Sequence, residues 1–262
     1  MAKPTTTSRI PGETHTVRRL LPDSIETTVA EQLATLDLKG LARPERPYLI
    51  LNFATTLDGR AAIDGHSGPI GGRTDTEMLQ RLRTRVDAVM IGAGTLRAER
   101  YGRMVEDQHY RGYRERTGLS HDPLAVIISN RLELPWDAGL FTNGGGRVVV
   151  FTASDQQPPE TATPVRVIRH PDGVDLAEAL EWLRTERGIR SVLCEGGPTL
   201  HGRLREGGLA DELFLTIAPK IAGGEGPRIL EGALPDIDEV ELAWLLEAES
   251  ELFARYRGMS ET

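Results

Sequence analysis

The sequence predicts an α/β domain: a mostly parallel central sheet flanked by helices, with an antiparallel edge at the C-terminus. Three observations carry this expectation. Short apolar runs of strand length, among them Tyr48–Leu57, DAVMIGAG and IRSVLCEGG, are hydrophobic almost without interruption, as strands covered on both faces must be. Segments of helical period lie between these runs, the alternation that builds parallel sheets. The final stretch, VELAWLLEAESELFARYRG, reads as two strands folded back on one another.

Residues 1–47 are expected to form a partly disordered N-terminal arm. Residues 1–22 are rich in Thr, Pro and Arg without an apolar period, and residues 24–41 have room for one short helix. After Pro47 the body, residues 48–262, begins with the strand Tyr48–Leu57, followed by a turn at Asp58-Gly59 and a short strand, Arg60–Ile63, that would close a hairpin. Thr74-Asp75-Thr76-Glu77 has capping-box spacing, and Met78, Leu79 and Leu82 continue a helix to near Arg85. The stretch Met104–Asp122 is polar and aperiodic, and reads as a long surface loop. LAVIIS, GGRVVVFTA and PVRVIRH are strands, with Gly144-Gly145-Gly146 as a turn. Asp175 and Glu178 cap the helix LAEALEWLRTER, which stops at Gly188. PTLHGRLREGG is a helix with Pro198 in its first turn, and DELFLTIAPK is another strand. No internal repeat and no break in composition follow Pro47.

Composition narrows the function. The chain has 262 residues, 39% of them hydrophobic, and its 31 Lys+Arg against 39 Asp+Glu leave a formal net charge of −8. That balance offers no footprint for a phosphate backbone or an anionic bilayer, so neither nucleic acid nor membrane is an expected partner, although clustered arginines can still hold a small anion. The single cysteine, Cys194, forbids an internal disulfide and any Cys-x-x-Cys metal site, which fits a reducing cytoplasm. No apolar run approaches the roughly 18 residues of a membrane span.

Two strand-to-glycine junctions carry the chemistry. In the first, Val89-Met90-Ile91-Gly92-Ala93-Gly94-Thr95, small residues after a buried strand let backbone N–H groups approach a phosphate. It is not the dinucleotide fingerprint, because G-x-G-x-x-G needs Gly where the chain has Arg97. The second, Val192-Leu193-Cys194-Glu195-Gly196-Gly197-Pro198-Thr199-Leu200, sets a carboxylate at the end of a strand before two glycines and a helix start, where open α/β sheets bind ligands. Other motifs fail. None of the 3 lysines sits in a Walker loop, the nucleophile elbow is broken by Pro69, and a zinc-deaminase site is impossible with 1 cysteine. The 6 histidines are scattered without metal-ligand spacing, so no metal is expected.

With both junctions in place the chain resembles the reductase half of the bifunctional riboflavin-biosynthesis deaminase/reductase family, from about Tyr48 to Gly258. The matching pieces are Thr56-Leu57-Asp58-Gly59-Arg60, the Ser67-to-Arg83 segment, Gly94-Thr95, Glu195 through Leu200, and Asp211-Glu212-Leu213 leading to Ile217-Ala218-Pro219-Lys220. The resemblance implies a stand-alone reductase domain over 48–262 with a dihydrofolate reductase-like fold, reducing the ribosyl group of a ribosylaminopyrimidine 5′-phosphate to a ribityl chain with NADPH. Carried across, the cofactor positions fall on Ala54, Pro69, Thr95, Glu99, Ser129 and the run Gly196, Gly197, Pro198, Thr199, Leu200, Gly202 and Arg203. The substrate positions fall on Ser67, Arg83 and Glu195, with Asn52 standing where the family commonly carries Lys. Glu195 is the expected catalytic residue, through a hydrogen bond to the substrate or a proton relay, and Arg83 is expected to grip an anionic group bidentately. Arg97, Arg100 and Arg131 are all near enough in sequence to read an NADPH 2′-phosphate. Two alternatives stay open here: dihydrofolate or pterin reduction on the same fold, and a non-catalytic nucleotide-binding protein. A homodimer is also implied, supported by the apolar C-terminal residues Leu242, Trp244, Leu245 and Leu246.

Overall fold

The computed structural model describes residues 14–232, 237 and 239–258. In chain order the first strands are β1 (Thr16–Leu21), β2 (Ile25–Thr28), β3 (Tyr48–Thr55), β4 (Ala88–Gly92), β5 (Leu124–Ile128) and β6 (Val148–Thr152). They are followed by β7 (Val165–Arg169), β8 (Ser191–Cys194), β9 (Glu212–Ile217), β10 (Glu241–Ala248) and β11 (Glu251–Arg257). The helices are α1 (Val29–Ala34), α2 (Arg73–Arg83), α3 (Ala93–Glu99), α4 (Gln108–Arg116), α5 (Gly139–Thr142), α6 (Leu176–Thr185) and α7 (Pro198–Glu206).

All these strands join one sheet in the order β2-β1-β10-β11-β9-β3-β8-β4-β5-β6-β7. From β9 to β7 every pairing is parallel, with Leu49 opposite Val192 and Met90 opposite Cys194. From β9 to β2 every pairing is antiparallel. The expected fold class is therefore the observed one.

The period-2 alternation of the parallel strands divides the core into two layers. Ile50, Val89, Ile91 and Leu193 face one side and pack with Met78, Leu82 and Phe141. Leu49, Leu51, Met90 and Val192 face the other and pack with Leu176, Leu180, Leu183 and Leu204. Asp175 caps α6 as expected, accepting the N–H groups of Ala177 and Glu178. No helix among the described residues is long and apolar enough to cross a membrane.

Several local expectations are corrected. Part of the N-terminal arm, residues 1–13, lies outside the described residues, but residues 14–47 contain two strands where none was read. β1 was hidden by its own arginines: it forms because Arg18 and Arg19 pair with Glu247 and Leu246 of β10, and Val17 is its buried residue. As a consequence β10 is not a free edge, and Trp244 and Leu246, cited above for dimerisation, are buried within the chain. Arg60–Ile63 is a loop with one isolated bridge, Ile63 to His66, because Ala61 gives its N–H to Pro227 across the loop instead. The long loop Met104–Asp122 contains α4, which shows no apolar stripe because its buried residue is Arg114. That guanidinium donates to the carbonyls of Ser120, Val86 and Arg83. The capping box at Thr74 does not form: α2 starts two residues earlier, behind Gly72 as its N-cap, without a side-chain cap, while Glu77 is buried and accepts from the His15 N–H and Arg81. A capping box does form at Thr28 and Glu31, ahead of α1.

Candidate active site

The two glycine junctions lie side by side because β4 and β8 are neighbours. Glu195 donates its N–H to the Met90 carbonyl at 3.0 Å, and Gly92 donates to the Gly196 carbonyl at 2.8 Å. Gly196 and Gly197 are joined by a cis peptide bond. Gly196 has φ +99°, and a Cβ there would meet the Phe53 ring at 3.1 Å, so only glycine fits. On Gly197 a Cβ would lie 2.9 Å from the Thr95 hydroxyl. α7 begins directly behind Gly197 with no side-chain cap; Pro198 at its first position has no N–H, and the N–H groups of Thr199 and Leu200 that follow face the ligand side.

Two clefts open on either side of this double junction. The first, about 550 Å³, is walled by Gly92, Gly94, Thr95, Ser129, the Gly197–Leu200 run and Arg203. Arg97, Asn130, Arg131 and Glu133 also line it, and the uncapped start of α7 in its wall fits the pyrophosphate of a dinucleotide. The second, about 420 Å³, is lined by Asn52, Ala54, Ser67, Asp75, Glu99, Tyr101 and Glu195. Gly94, Thr95, Gly197 and Pro198 belong to both, so a ligand in one lies against a ligand in the other. Among the described residues no cluster of three or more His, Cys, Asp or Glu side chains could hold a metal ion.

Glu195 enters the second cleft on a fixed mount. Its two oxygens accept from Arg83 Nε and Nη2, each at 2.6 Å, and Tyr101 donates its hydroxyl to Oε2 at 3.1 Å. Both charged side chains are nearly enclosed, at 9% exposure for Arg83 and 4% for Glu195. Burial opposes the Arg83 charge, but the Glu195 carboxylate overcomes it and holds the guanidinium above its usual range. Burial and the same carboxylate drive the Tyr101 phenol well above its ordinary value. The third guanidinium nitrogen of Arg83 donates to the Met104 carbonyl at 2.9 Å. Arg83 and Glu195 thus meet each other, and the bidentate grip foreseen for an external anion is made on an internal carboxylate.

The other sequence-derived positions divide as follows. Thr95, Ser129, Gly197, Pro198, Thr199, Leu200 and Arg203 line the first cleft, and Asn52, Ala54, Ser67, Glu99 and Glu195 line the second. Ser67 gives both its N–H and its hydroxyl to Glu99 Oε1, at 2.8 and 2.9 Å. Pro69 stands behind the second cleft, its carbonyl taking a hydrogen from Lys220 at 2.7 Å. Gly202 allows close packing: a Cβ there would lie 1.9 Å from the Glu231 carbonyl. Asp58 ties loops together, accepting from Thr56, Ala222 and Gly223. Sequence reasoning missed Tyr101, Lys220 and Asp75. Tyr101 had no pattern around it, Lys220 was matched only as the end of the Ile217-to-Lys220 piece with no site role, and Asp75 was absorbed into the supposed capping box.

Comparison with known proteins gives four findings. The sequence model of the RibD C-terminal domain family matches residues 47–247. The 2,5-diamino-6-ribosylamino-4(3H)-pyrimidinone 5′-phosphate reductase of Methanothermobacter thermautotrophicus is 33% identical over 207 residues, spanning 77% of this chain and 91% of that protein. Riboflavin biosynthesis protein RibD of Bacillus amyloliquefaciens is 30% identical over 210 residues, 78% of this chain but 54% of that protein. Among solved structures, a pyrimidine reductase-like protein from Corynebacterium diphtheriae superposes with a TM-score of 0.72 at 24% identity, covering 88% of this chain and 98% of that one. At that identity the superposition shows a shared fold.

Proposed function

The chain belongs to the RibD C-terminal domain family of reductases, and from that premise we propose that it reduces a ribosylaminopyrimidine 5′-phosphate to the ribityl compound with NADPH. The observation that carries the reading is the pair of clefts sharing one wall, the first opening on the glycine junctions and the start of α7 and the second holding a buried, triply hydrogen-bonded carboxylate. The Gly94–Thr95 turn, the Gly197–Leu200 run and Arg203 would hold a reduced nicotinamide cofactor in the first cleft, where it would supply the hydride to a substrate in the second. The residues of the chain position and polarise. Glu195, clamped by Arg83 and Tyr101, serves as an oriented acceptor for substrate N–H or O–H donors, while Asn52 and Ser67 set the register of the ring and sugar. Arg83 is a positioning residue that acts through Glu195.

Preference for NADPH is assigned to Arg131. Of the arginines at the first cleft, Arg97 donates to the Glu133 carbonyl at 2.7 Å and Arg203 to the Val174 carbonyl at 2.6 Å. Arg100 pairs with Asp137. Arg131 lines the cleft beside Ser129, is exposed, and makes no hydrogen bond among the described residues, which leaves its fork free for a 2′-phosphate. The reading also includes a cytoplasmic homodimer, in which Leu57 and Ile221, 62% and 78% exposed, are covered by the partner.

The test is turnover by the purified chain. NADPH oxidation with the ribosylaminopyrimidine phosphate, and a product two hydrogens heavier by mass spectrometry, is the expected result. Reduction of dihydrofolate without reduction of the pyrimidine, or no oxidation with either, overturns it.

A further inference from the structure

Adding a hydride to a sugar carbon is half of a reduction; a proton must follow it. Four ionisable side chains line the second cleft: Asp75, Glu99, Tyr101 and Glu195. Glu195 is ringed by three donors, the Tyr101 hydroxyl is one of them, and Glu99 is turned to the N–H and hydroxyl of Ser67. Asp75, in the first turn of α2, is engaged differently.

Its surroundings favour a carboxyl that keeps its proton. The backbone at Gly71 lies against it, so close that a Cβ on Gly71 would fall 2.0 Å from Asp75 Oδ2. From β9 the Thr216 hydroxyl bonds to the carboxyl, and just beyond β9 stands Lys220. The Lys220 hydrogens already go to the carbonyls of Pro69 and Ile70, at 2.7 and 2.6 Å. A second carboxyl, Glu251 of β11, is buried beside the same lysine; one oxygen accepts the Gly72 N–H at 2.7 Å and the other is buried without a hydrogen-bond partner among the described residues. Glu249, in the turn before β11, adds further negative charge toward Glu251. Two carboxyls share this one ammonium, two of whose three hydrogens go to carbonyls, so the second carboxyl to ionise meets the charge of the first. Burial, the largest cause for each, raises both Asp75 and Glu251.

Resting on the reductase reading above, we propose that Asp75 is the general acid of the reaction, delivering its proton from the α2 side of the second cleft. In the open-chain form of a ribosylamine the reacting bond is a C=N double bond. Hydride from the reduced nicotinamide bonds to the sugar carbon, the π electron pair moves to the nitrogen, and that nitrogen takes the Asp75 proton. The carbon is reduced, the nicotinamide is oxidised, and the Asp75 carboxylate regains a proton from water as the product leaves.

The Asp75→Asn variant keeps the shape and removes the proton. It is expected to lose roughly 10²- to 10⁴-fold in kcat, while NADPH affinity, read by nucleotide fluorescence, stays within about twofold; Asp75→Glu recovers part of the rate. Wild-type kcat falls as pH rises and Asp75 ionises, and that limb is absent in Asp75→Asn. Glu251→Gln removes the neighbouring charge and moves the limb to lower pH, a shift that a merely structural Asp75 would not produce. Full activity in Asp75→Asn, or an unmoved limb in Glu251→Gln, overturns the proposal. Infrared spectroscopy separates this claim from the substrate reading: wild type minus Asp75→Asn should show a protonated carboxyl stretch above the ordinary aspartate range of pH. If the wild type fails to reduce the pyrimidine, the substrate reading falls, and Asp75 is then decided by that band, whose absence overturns it.

Discussion

The two clefts share a wall and differ in what they are made of. The first joins a backbone wall, the glycines at the ends of β4 and β8 and the uncapped start of α7, to a rim that includes Arg97, Arg131 and Arg203. The second is side chains, chiefly the Arg83–Glu195–Tyr101 cluster and the carboxyl of Asp75. A wall of backbone N–H groups suits any phosphate and is damaged by adding atoms. A side-chain site recognises one substrate and is damaged by removing a charge.

The largest effect should come from the buried ion pair of the second cleft. Arg83→Ala leaves the Glu195 charge enclosed without its partner, which costs on the order of 3–5 kcal/mol. Urea unfolding should show that loss, and kcat should fall while NADPH still binds. The double variant Arg83→Met with Glu195→Leu sharpens the point: stability should return in large part and activity should not. Stability unchanged in Arg83→Ala would mean that the pair is solvated, and the contrast between the clefts would fail.

A second effect lies under the shared wall. His201 of α7 stacks on Phe53 at 4.5 Å between ring centroids, and its Nδ1 lies 2.6 Å from the Ile229 carbonyl. Burial pushes its pKa down from 6.5 to about 4, with the Arg205 charge acting the same way. Between those values the unfolded chain binds a proton that the folded chain does not, so stability is present above pH 6.5 and declines as pH falls through this window. At about 1.4 kcal/mol per unit, the loss by pH 4 is roughly 3 kcal/mol. His201→Gln should flatten that slope in a thermal-melt series across pH.

The backbone cleft is tested by addition. Gly196→Ala forces a side chain onto φ +99° and against the Phe53 ring, for an expected stability cost of about 1–3 kcal/mol. NADPH affinity should fall with it, through displacement of the Gly197 corner. The smallest effect expected is Arg131→Ala, which should weaken NADPH about tenfold, close to 1.4 kcal/mol, and leave NADH unchanged. An equal loss for both cofactors would remove Arg131 as the 2′-phosphate reader.

The double junction was legible in the sequence alone. Both glycine junctions, Glu195 and the helix opened by Pro198 stand in short contiguous segments, where a strand end, a turn and a helix start follow one another within ten residues. The partner of Arg83 was not legible, because the two residues of that pair are separated by 112 positions. Taken alone, Arg83 looks like an anion grip. Only the placement of α2 beside β8 shows that the anion is Glu195. Asp75 was misread for a related reason: Thr, Asp, Thr and Glu in capping order are locally sufficient for a cap, but α2 begins behind Gly72 and turns Thr74 and Glu77 inward.

The sequence by itself determined the layer architecture and the chain positions of both junctions, since apolar period and glycine placement are local and act through the backbone of their own segment. Tertiary structure alone decided that β1 closes the β10 edge, that α4 forms around a buried arginine, and that Asp75 and Glu251 share one lysine. The last two depend on burying a charged group. That is unfavourable in isolation and becomes tolerable only when a partner far along the chain supplies the hydrogen bonds and the opposing charge.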